Sequence, residues 1–262
     1  MKTLYVIKIG GNVIDNSANL HAFLEVFSAL EGSKILVHGG GKMATQLSKT
    51  LGIEPKMVDG RRITDIETLR VVTMVYAGLI NKNIVAQLQL HHCNAIGLTG
   101  ADGNLVRAQK RPVKEIDYGY VGDLHETSVA SKKLGALLEE QLVPVFSAIT
   151  HDGNGQLLNT NADTVASAIA VAMSADYETS LVYCFEKKGV LADVNDDASL
   201  LAEIRSGDFE ALKSEGIVAD GMIPKLHNAF EAIKNGVKDV YIGKAGDLAE
   251  LATQSFGTRL LS

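Results

Sequence analysis

Short apolar runs alternate along this chain with segments whose apolar residues recur at helical spacing. The run over residues 4–9 is followed by a segment with an apolar stripe from Leu20 to Phe27 on one helical face. Further strand-like runs lie at residues 34–37, 95–98, 144–149, 180–185 and 237–242. Such alternation is typical of a largely parallel sheet covered on both faces, with ligands bound beyond the carboxyl ends of the strands. We therefore expect an α/β fold.

Three longer segments refine this picture. Asp65 is expected to cap a long helix that runs toward His91, and residues 105–124 have the pattern of an antiparallel hairpin. Residues 164–175 are alanine-rich and apolar on every face, which predicts a buried helix capped by Thr160 or Asn161. A boundary between two lobes is placed near Ala175.

Composition narrows the class of protein. The chain has 262 residues, of which 46% are hydrophobic and 21% charged, and this balance excludes a disordered chain. A net charge of −6 provides no overall basic field for nucleic acid or an anionic membrane. The first strand is expected to begin at Thr3, which leaves no room for a signal peptide. The apolar run over residues 164–175 is too short to span a membrane. Cys93 and Cys184 lack paired ligand spacing, so neither a disulfide scaffold nor a thiolate zinc site is expected. A cytoplasmic protein is expected.

Two glycine segments follow strands and could bind anions. Lys8 ends an apolar strand just before Gly10 and Gly11, where its ammonium could meet a phosphate or could reach solvent at a sheet edge. Residues 38–42, His-Gly-Gly-Gly-Lys, join a strand to a helix and offer bare backbone amides to an anion. The segment is not a Walker A loop, because Met43 follows Lys42, and the chain contains neither a G-x-G-x-x-G fingerprint nor the G-x-S-x-G elbow of a hydrolase.

Three further segments contain polar or charged side chains that could bind a ligand. The Arg61-Arg62 pair could bind a carboxylate or could be solvated. Residues 159–163, Asn-Thr-Asn-Ala-Asp, contain more polar side chains than a helix cap requires. Lys225 would lie near the start of a helix, where a cation is unfavourable unless an anion is close. The adjacent histidines His91 and His92 point apart and are interpreted as residues of a helix end rather than metal ligands.

In combination and in this order, the motifs resemble the amino acid kinase family over essentially the whole chain. The similar segments are Lys8-Ile9-Gly10-Gly11, Val37-His38-Gly39-Gly40-Gly41, Gly60-Arg61-Arg62-Ile63-Thr64, Asn159-Thr160-Asn161-Ala162-Asp163, Asp220-Gly221-Met222-Ile223-Pro224-Lys225 and Gly257-Thr258-Arg259. The resemblance implies a three-layer αβα sandwich with a mainly parallel central sheet. It also implies an N-terminal lobe over residues 1–175 for the acyl amino acid and dimerisation, and a C-terminal lobe over 176–262 for ATP.

The resemblance further implies transfer of the ATP γ-phosphoryl group to the γ-carboxylate of N-acetyl-L-glutamate, with Mg²⁺ held largely by the nucleotide phosphates and no metal-ligating side chain assigned. By motif matching, Lys8 and Lys225 would stabilise the transferring group, and Asp163 would position both lysines. The residues expected to bind the substrate are Gly40, Gly41, Arg62 and Asn159. Those expected to bind the nucleotide are Gly10, Gly11, Phe185, Gly189, Val190 and Leu191. No general base is required, because the nucleophile is already a carboxylate.

Alternatives stay open at this point. Similar kinases act on N-succinyl-L-glutamate, carbamate, UMP, aspartate or free glutamate, and a silent nucleotide-binding subunit is a more remote alternative. Relatives that form arginine-responsive hexamers carry an extra N-terminal helix. Since the first strand here begins at Thr3, the resemblance implies a homodimer without arginine feedback.

Overall fold

The computed structural model describes residues 1–58, 60–193, 195–218 and 222–262. The longer strands are β1 (Lys2–Ile9), β2 (Ser33–His38), β5 (Ala95–Leu98), β8 (Val143–Ser147), β11 (Tyr177–Phe185), β13 (Asp239–Lys244) and β14 (Thr258–Leu261). The short strands are β3 (Met57–Val58), β4 (Arg61–Arg62), β6 (Gln109–Lys110), β7 (Gly122–Asp123), β9 (Ile149–His151), β10 (Leu157–Asn159) and β12 (Glu203–Arg205). The helices are α1 (Gly11–Ile14), α2 (Ser17–Ala29), α3 (Gly41–Thr50), α4 (Ile66–Thr73), α5 (Asn81–Leu90), α6 (Ser131–Glu139), α7 (Ala162–Met173), α8 (Phe209–Ser214) and α9 (Ile223–Lys234).

An eight-stranded sheet forms the centre of the molecule, in the order β12-β14-β13-β11-β1-β2-β8-β5. The six strands from β13 to β5 are parallel, whereas β14 runs antiparallel to β13 and β12 is parallel to β14. Strand β1 is central, and the chain adds β2 on one side of it and later β11 on the other. The carboxyl ends of β1, β2 and β11 therefore border one crevice, the position expected for a ligand site.

Two apolar cores cover the two faces of the sheet. Ile7 and Ile9 of β1 belong to the core shared with α2, α4 and α5, whereas Leu4 and Val6 belong to the core shared with α6, α7 and α9. The alternation follows from the period of two along a strand. The layers confirm the predicted αβα fold. The sheet continues across residue 175, and the assignment of separate roles to 1–175 and 176–262 stays a prediction.

The long helix predicted after Asp65 is present, with an irregularity in its middle. The Asp65 side chain accepts a hydrogen bond from the Thr68 amide at 2.8 Å, and the helical segment extends over Ile66–Leu90. The turns over Met74–Ile80 are wound as a π-helix between α4 and α5. Among the described residues this is the one helix whose length and composition would allow it to cross a membrane, although a set of its side chains is buried in the protein core.

The antiparallel edge of the sheet was not foreseen from the sequence. Arg259 of β14 donates through Nε and Nη2 to Asp239 Oδ2 at 3.0 and 2.7 Å, and Asp239 is 1% exposed. Ser180 of β11 also donates to Asp239, at 2.5 Å. One buried carboxylate thus links β11, β13 and β14.

We expect Arg259→Met to lower the free energy of unfolding by about 3–5 kcal/mol, because it leaves the buried carboxylate of Asp239 without its cation. Urea unfolding monitored by circular dichroism measures the effect. The control is Arg205→Met, which removes an exposed ion pair with Glu203 (2.7 Å) and should cost less than about 1 kcal/mol. Equal effects of the two substitutions would contradict this account of the sheet edge.

Candidate active site

The centre of the candidate site is an ion pair between Lys8 and Asp163. Lys8 lies near the carboxyl end of β1 and is 8% exposed. Its position in the strand directs its side chain to the face covered by α7, and its Nζ atom is 2.7 Å from Asp163 Oδ1. A buried ammonium group is costly without a partner, so this carboxylate is what allows a lysine at the end of the central strand.

The start of α7 fixes the position of Asp163. Asn161 is the residue that caps the helix, as its Oδ1 accepts hydrogen bonds from the amides of Asp163 (2.8 Å) and Thr164 (3.1 Å). Asp163 therefore lies in the first helical turn, where a negative charge is favourable. Helix α7 begins at Ala162, two residues earlier than the apolar pattern predicted, and its residues Val165 and Ile169 are buried.

Lys225 reaches the same place from α9, which packs against α7 and β13. It follows Ile223 and Pro224 in the first turn of the helix, as predicted. Burial lowers the pKa of the Lys225 ammonium, the charge of Asp163 raises it, and the charge of Lys8 lowers it further. Asp220 and Gly221 of the same motif lie outside the described residues.

Two cavities meet at this cluster. The first has a volume of about 860 Å³ and is lined by Lys8, Gly10, Gly11, Phe185, Gly189 and Lys225, among others. The second, of about 630 Å³, is lined by Gly40, Asn159, Asp163 and Lys225, among others. Gly41, Arg62 and Lys225 border both cavities. Two ligands bound in these cavities would therefore approach each other beside the lysines.

A buried histidine holds the glycine loop between β2 and α3. His38 is fully buried, with Nδ1 2.9 Å from the Gly39 carbonyl oxygen and Nε2 3.1 Å from Asn81 Nδ2. Burial lowers the pKa of His38 to about 4, so the ring is neutral at pH 7, donates from Nδ1 and accepts at Nε2. Gly40 has φ +155°, and a Cβ atom there would be 2.2 Å from Ile80 Cδ1. The loop is thus packed closely against the π-helical turn.

Arg62 presents a donor to the second cavity. It is 8% exposed, and its Nη2 donates to the Gly41 carbonyl oxygen (3.1 Å) and Thr45 Oγ1 (2.7 Å). Its Nη1 is buried and has no hydrogen-bond partner within the described part of the chain. Arg62 lines the second cavity, and a guanidinium group with unused hydrogen-bonding capacity there suits a carboxylate ligand. Asn159 lies in the same cavity wall, and its Nδ2 donates to Thr64 Oγ1 at 3.0 Å.

The structure separates the residues expected to contact nucleotide into two groups. Gly10, Gly11, Phe185 and Gly189 line the first cavity. Val190 and Leu191 are buried behind it, 3% and 8% exposed, and the Val190 amide donates to Thr258 Oγ1 at 2.8 Å. A nucleotide contact from either of these two stays a prediction.

Comparisons with known proteins agree with this arrangement. The model of the amino acid kinase family matches residues 3–244. Acetylglutamate kinase from Cytophaga hutchinsonii is 56% identical over 100% of both chains. Acetylglutamate kinase from Bacteroides fragilis is 54% identical over 98% of this chain and 96% of its own. The chain belongs to the amino acid kinase family. The resemblance seen in the motifs is confirmed.

The fold of this amino acid kinase also matches solved structures. N-acetylglutamate synthase from Neisseria gonorrhoeae, complexed with coenzyme A and N-acetyl-glutamate, has a TM-score of 0.82 with 100% of this chain and 59% of that chain covered. At 20% identity, this is a likeness of fold alone.

Sequence reasoning missed a charged residue of this amino acid kinase that borders the second cavity. Arg111 lies in the irregular segment between β6 and β7, and its Nη2 pairs with Asp123 at 2.5 Å. Its Nη1 is buried without a hydrogen-bond partner among the described residues. The hairpin predicted over residues 105–124 is present as the antiparallel pair β6 and β7, but the hairpin pattern did not indicate that the arginine between these strands borders the site.

The neutral His38 predicts a pH dependence of stability. The unfolded chain takes up a proton near the ordinary pKa of 6.5, whereas the folded chain resists protonation until about pH 4. The neutral His38 thus contributes fully to the free energy of unfolding above pH 6.5. As the pH falls toward 4 this contribution is lost, and the free energy of unfolding decreases by about 3 kcal/mol. Urea unfolding between pH 7 and 4 should show this slope in the native protein. The slope of the free energy of unfolding against pH should be smaller in His38→Gln and unchanged in the control His21→Gln, since His21 is exposed. Identical slopes in the two variants would contradict the assignment of this pH dependence to His38.

Proposed function

We propose that this chain is an acetylglutamate kinase, which transfers the γ-phosphoryl group of ATP to the γ-carboxylate of N-acetyl-L-glutamate in arginine biosynthesis. The observation that carries the proposal is the position of Lys8, Asp163 and Lys225 at the junction of two cavities. The names of the relatives that match the whole chain support the same reaction.

In the proposed reaction an oxygen of the substrate γ-carboxylate attacks the γ-phosphorus, and the bond from that phosphorus to the β,γ-bridging oxygen breaks. The products are ADP and N-acetyl-L-glutamyl 5-phosphate. No proton is transferred, so the chain has to bring two anions into line and offset the charge of the transferring group. Lys8 and Lys225 supply positive charge at the junction, and Asp163 orients Lys8 from 2.7 Å.

The substrate would occupy the second cavity and the nucleotide the first. The guanidinium group of Arg62 suits the α-carboxylate of the substrate, and Asn159 and the glycine loop at Gly40 and Gly41 complete that cavity. The backbone at Gly10 and Gly11 would face the phosphates in the first cavity. ATP enters this proposal as its Mg²⁺ complex. In this proposal the nucleotide phosphates coordinate the cation, and the described residues contain no group of three histidine, cysteine, aspartate or glutamate side chains placed to hold a metal.

For the location and assembly of the enzyme, we infer a cytoplasmic homodimer that binds neither nucleic acid nor membrane. The net charge of −6 disfavours anionic partners. Four large apolar residues along the helical segment Ile66–Leu90 are exposed and could contact a second copy of the chain: Ile66, Met74, Leu79 and Leu90.

The first test of the proposal is the trapping of the acyl phosphate with hydroxylamine. The enzyme with Mg-ATP should give hydroxamate from an N-acylated glutamate and none from free glutamate. Lys8→Ala and Lys225→Ala should each lower kcat by roughly 10²–10³-fold, as the loss of one preorganised charge donor does elsewhere. Lys49→Ala, an exposed lysine at the end of α3, is the matched control and should leave kcat unchanged. A near-normal kcat in either lysine variant would refute its role.

A second candidate substrate, N-succinyl-L-glutamate, is favoured by Arg111. The succinyl group adds a carboxylate to the substrate, and Arg111 contributes a guanidinium group to the wall of the second cavity. The guanidinium is already held by Asp123 and lies 5.2 Å from the centre of the Tyr118 ring. It is therefore rigid enough to select for a terminal carboxylate.

Arg111→Met distinguishes the two substrates. If the succinyl group binds Arg111, kcat/KM for N-succinyl-L-glutamate should fall by about 10–150-fold, the effect of one charged hydrogen bond. The value for N-acetyl-L-glutamate should fall much less. Because both substrates are measured on the same variant, structural damage cancels in the ratio. An unchanged ratio would remove Arg111 from the acyl pocket and leave the acetylated substrate as the proposal.

A further inference from the structure

The carboxyl end of β11 places an aromatic ring among the charged groups of the site. Lys8 of β1 pairs in register with Tyr183 of β11, and Phe185 lies two residues further along the same face. The rings of Tyr183 and Phe185 are stacked, with centroids 6.2 Å apart and planes at 25°. The Tyr183 hydroxyl donates to the Asp163 carbonyl oxygen at 3.4 Å. The Phe185 ring is therefore held by the strand and by its aromatic neighbour, which is itself bonded to the start of α7.

Both lysines of the junction contact this ring. Lys225 Nζ is 4.0 Å from the centroid of Phe185, and Lys8 Nζ is 5.4 Å from it. Both distances lie within the range in which an ammonium group is attracted by the face of an aromatic ring. Lys8 has Asp163 as its carboxylate partner at 2.7 Å, and the Phe185 ring offers Lys225 a second source of attraction besides that carboxylate.

We propose that Phe185 is a positioning residue that holds the ammonium groups of Lys8 and Lys225 at the junction without neutralising them. An aromatic quadrupole attracts a cation but carries no net charge. A carboxylate in the same place would fix the lysines equally well but would cancel the charge that the transferring phosphoryl group needs. The inference rests on the proposed function, in which both lysines act on that group.

The family resemblance implies a nucleotide contact for Phe185 instead. A base stacked on the ring would need a free face, whereas the Lys225 ammonium already lies over the ring at 4.0 Å. The two roles differ in kinetics. A nucleotide contact acts on the KM for ATP, while the position of the lysines acts on kcat.

The experiment compares Phe185→Leu, which keeps an apolar side chain and removes the ring, with Phe185→Tyr, which keeps the ring. Steady-state kinetics with Mg-ATP and the N-acylated glutamate are measured from pH 6 to 10. For Phe185→Leu we expect kcat to fall by about 3–30-fold with little change in the KM for ATP. The alkaline limit of kcat should move to lower pH, because the ring no longer favours the charged form of Lys225. Phe185→Tyr should keep both kcat and the alkaline limit of kcat at the values of the native protein.

A second measurement requires no turnover. The pH titration of the Lys225 side chain, followed by NMR at its Cε and assigned with Lys225→Arg, should show a lower pKa in Phe185→Leu than in the native protein or Phe185→Tyr. Circular dichroism and urea unfolding establish that each variant is folded. If Phe185→Leu is not folded, Phe185→Met takes its place in both measurements.

The outcomes are distinct. An unchanged kcat together with an unchanged Lys225 pKa in Phe185→Leu overturns the proposal, as does a rise in the KM for ATP alone. Absence of hydroxamate from the native enzyme overturns the proposed function, and the NMR titration then still decides whether the ring holds Lys225.

Discussion

The arrangement of this protein depends on keeping a buried ammonium group charged at the end of its central strand. Lys8 can occupy that position only because Asp163 lies 2.7 Å away, and Asp163 is there because Asn161 starts α7 at that point. Helix α7 in turn packs across β1 and β11 through the apolar side chains of one core. The ion pair thus ties the strand, the helix and the cap together, and the two cavities open on either side of it.

An excess of positive charge follows from this construction. Among the described residues, two carboxylates border the two cavities, Asp163 and Glu186, against seven cations: Lys8, Lys42, Arg61, Arg62, Arg111, Lys187 and Lys225. Burial disfavours such an excess, as the lowered pKa of Lys225 shows. Anionic ligands in the two cavities would relieve this cost. A site with this charge distribution therefore favours phosphate and carboxylate groups as ligands.

The neutral elements of the site serve to keep the charged ones in place. His38 is fully buried and bonds Asn81 on one side and the Gly39 carbonyl on the other. This holds the glycine loop against the π-helical turn, where only a residue without a side chain fits at position 40. π-Helical turns occur frequently at functional sites, and this one places Ile80 and Asn81 against the loop.

The sequence by itself determined the α/β class and the alternation of strands and helices along the chain, because strand and helix periods are local properties. The αβα layering and the pairing of Lys8 with Asp163 were implied by the resemblance of short motifs to the amino acid kinase family. It also predicted that Arg62 could bind a carboxylate. Only the tertiary structure decided what Arg111, Phe185 and Arg259 contact. Arg111 lies in the connection between β6 and β7, Phe185 meets lysines from β1 and α9, and Arg259 pairs with a buried aspartate on an antiparallel neighbour. These contacts join residues 12 to 177 positions apart in the chain, and no local pattern encodes them, because their energy comes from burial and charge in the assembled fold.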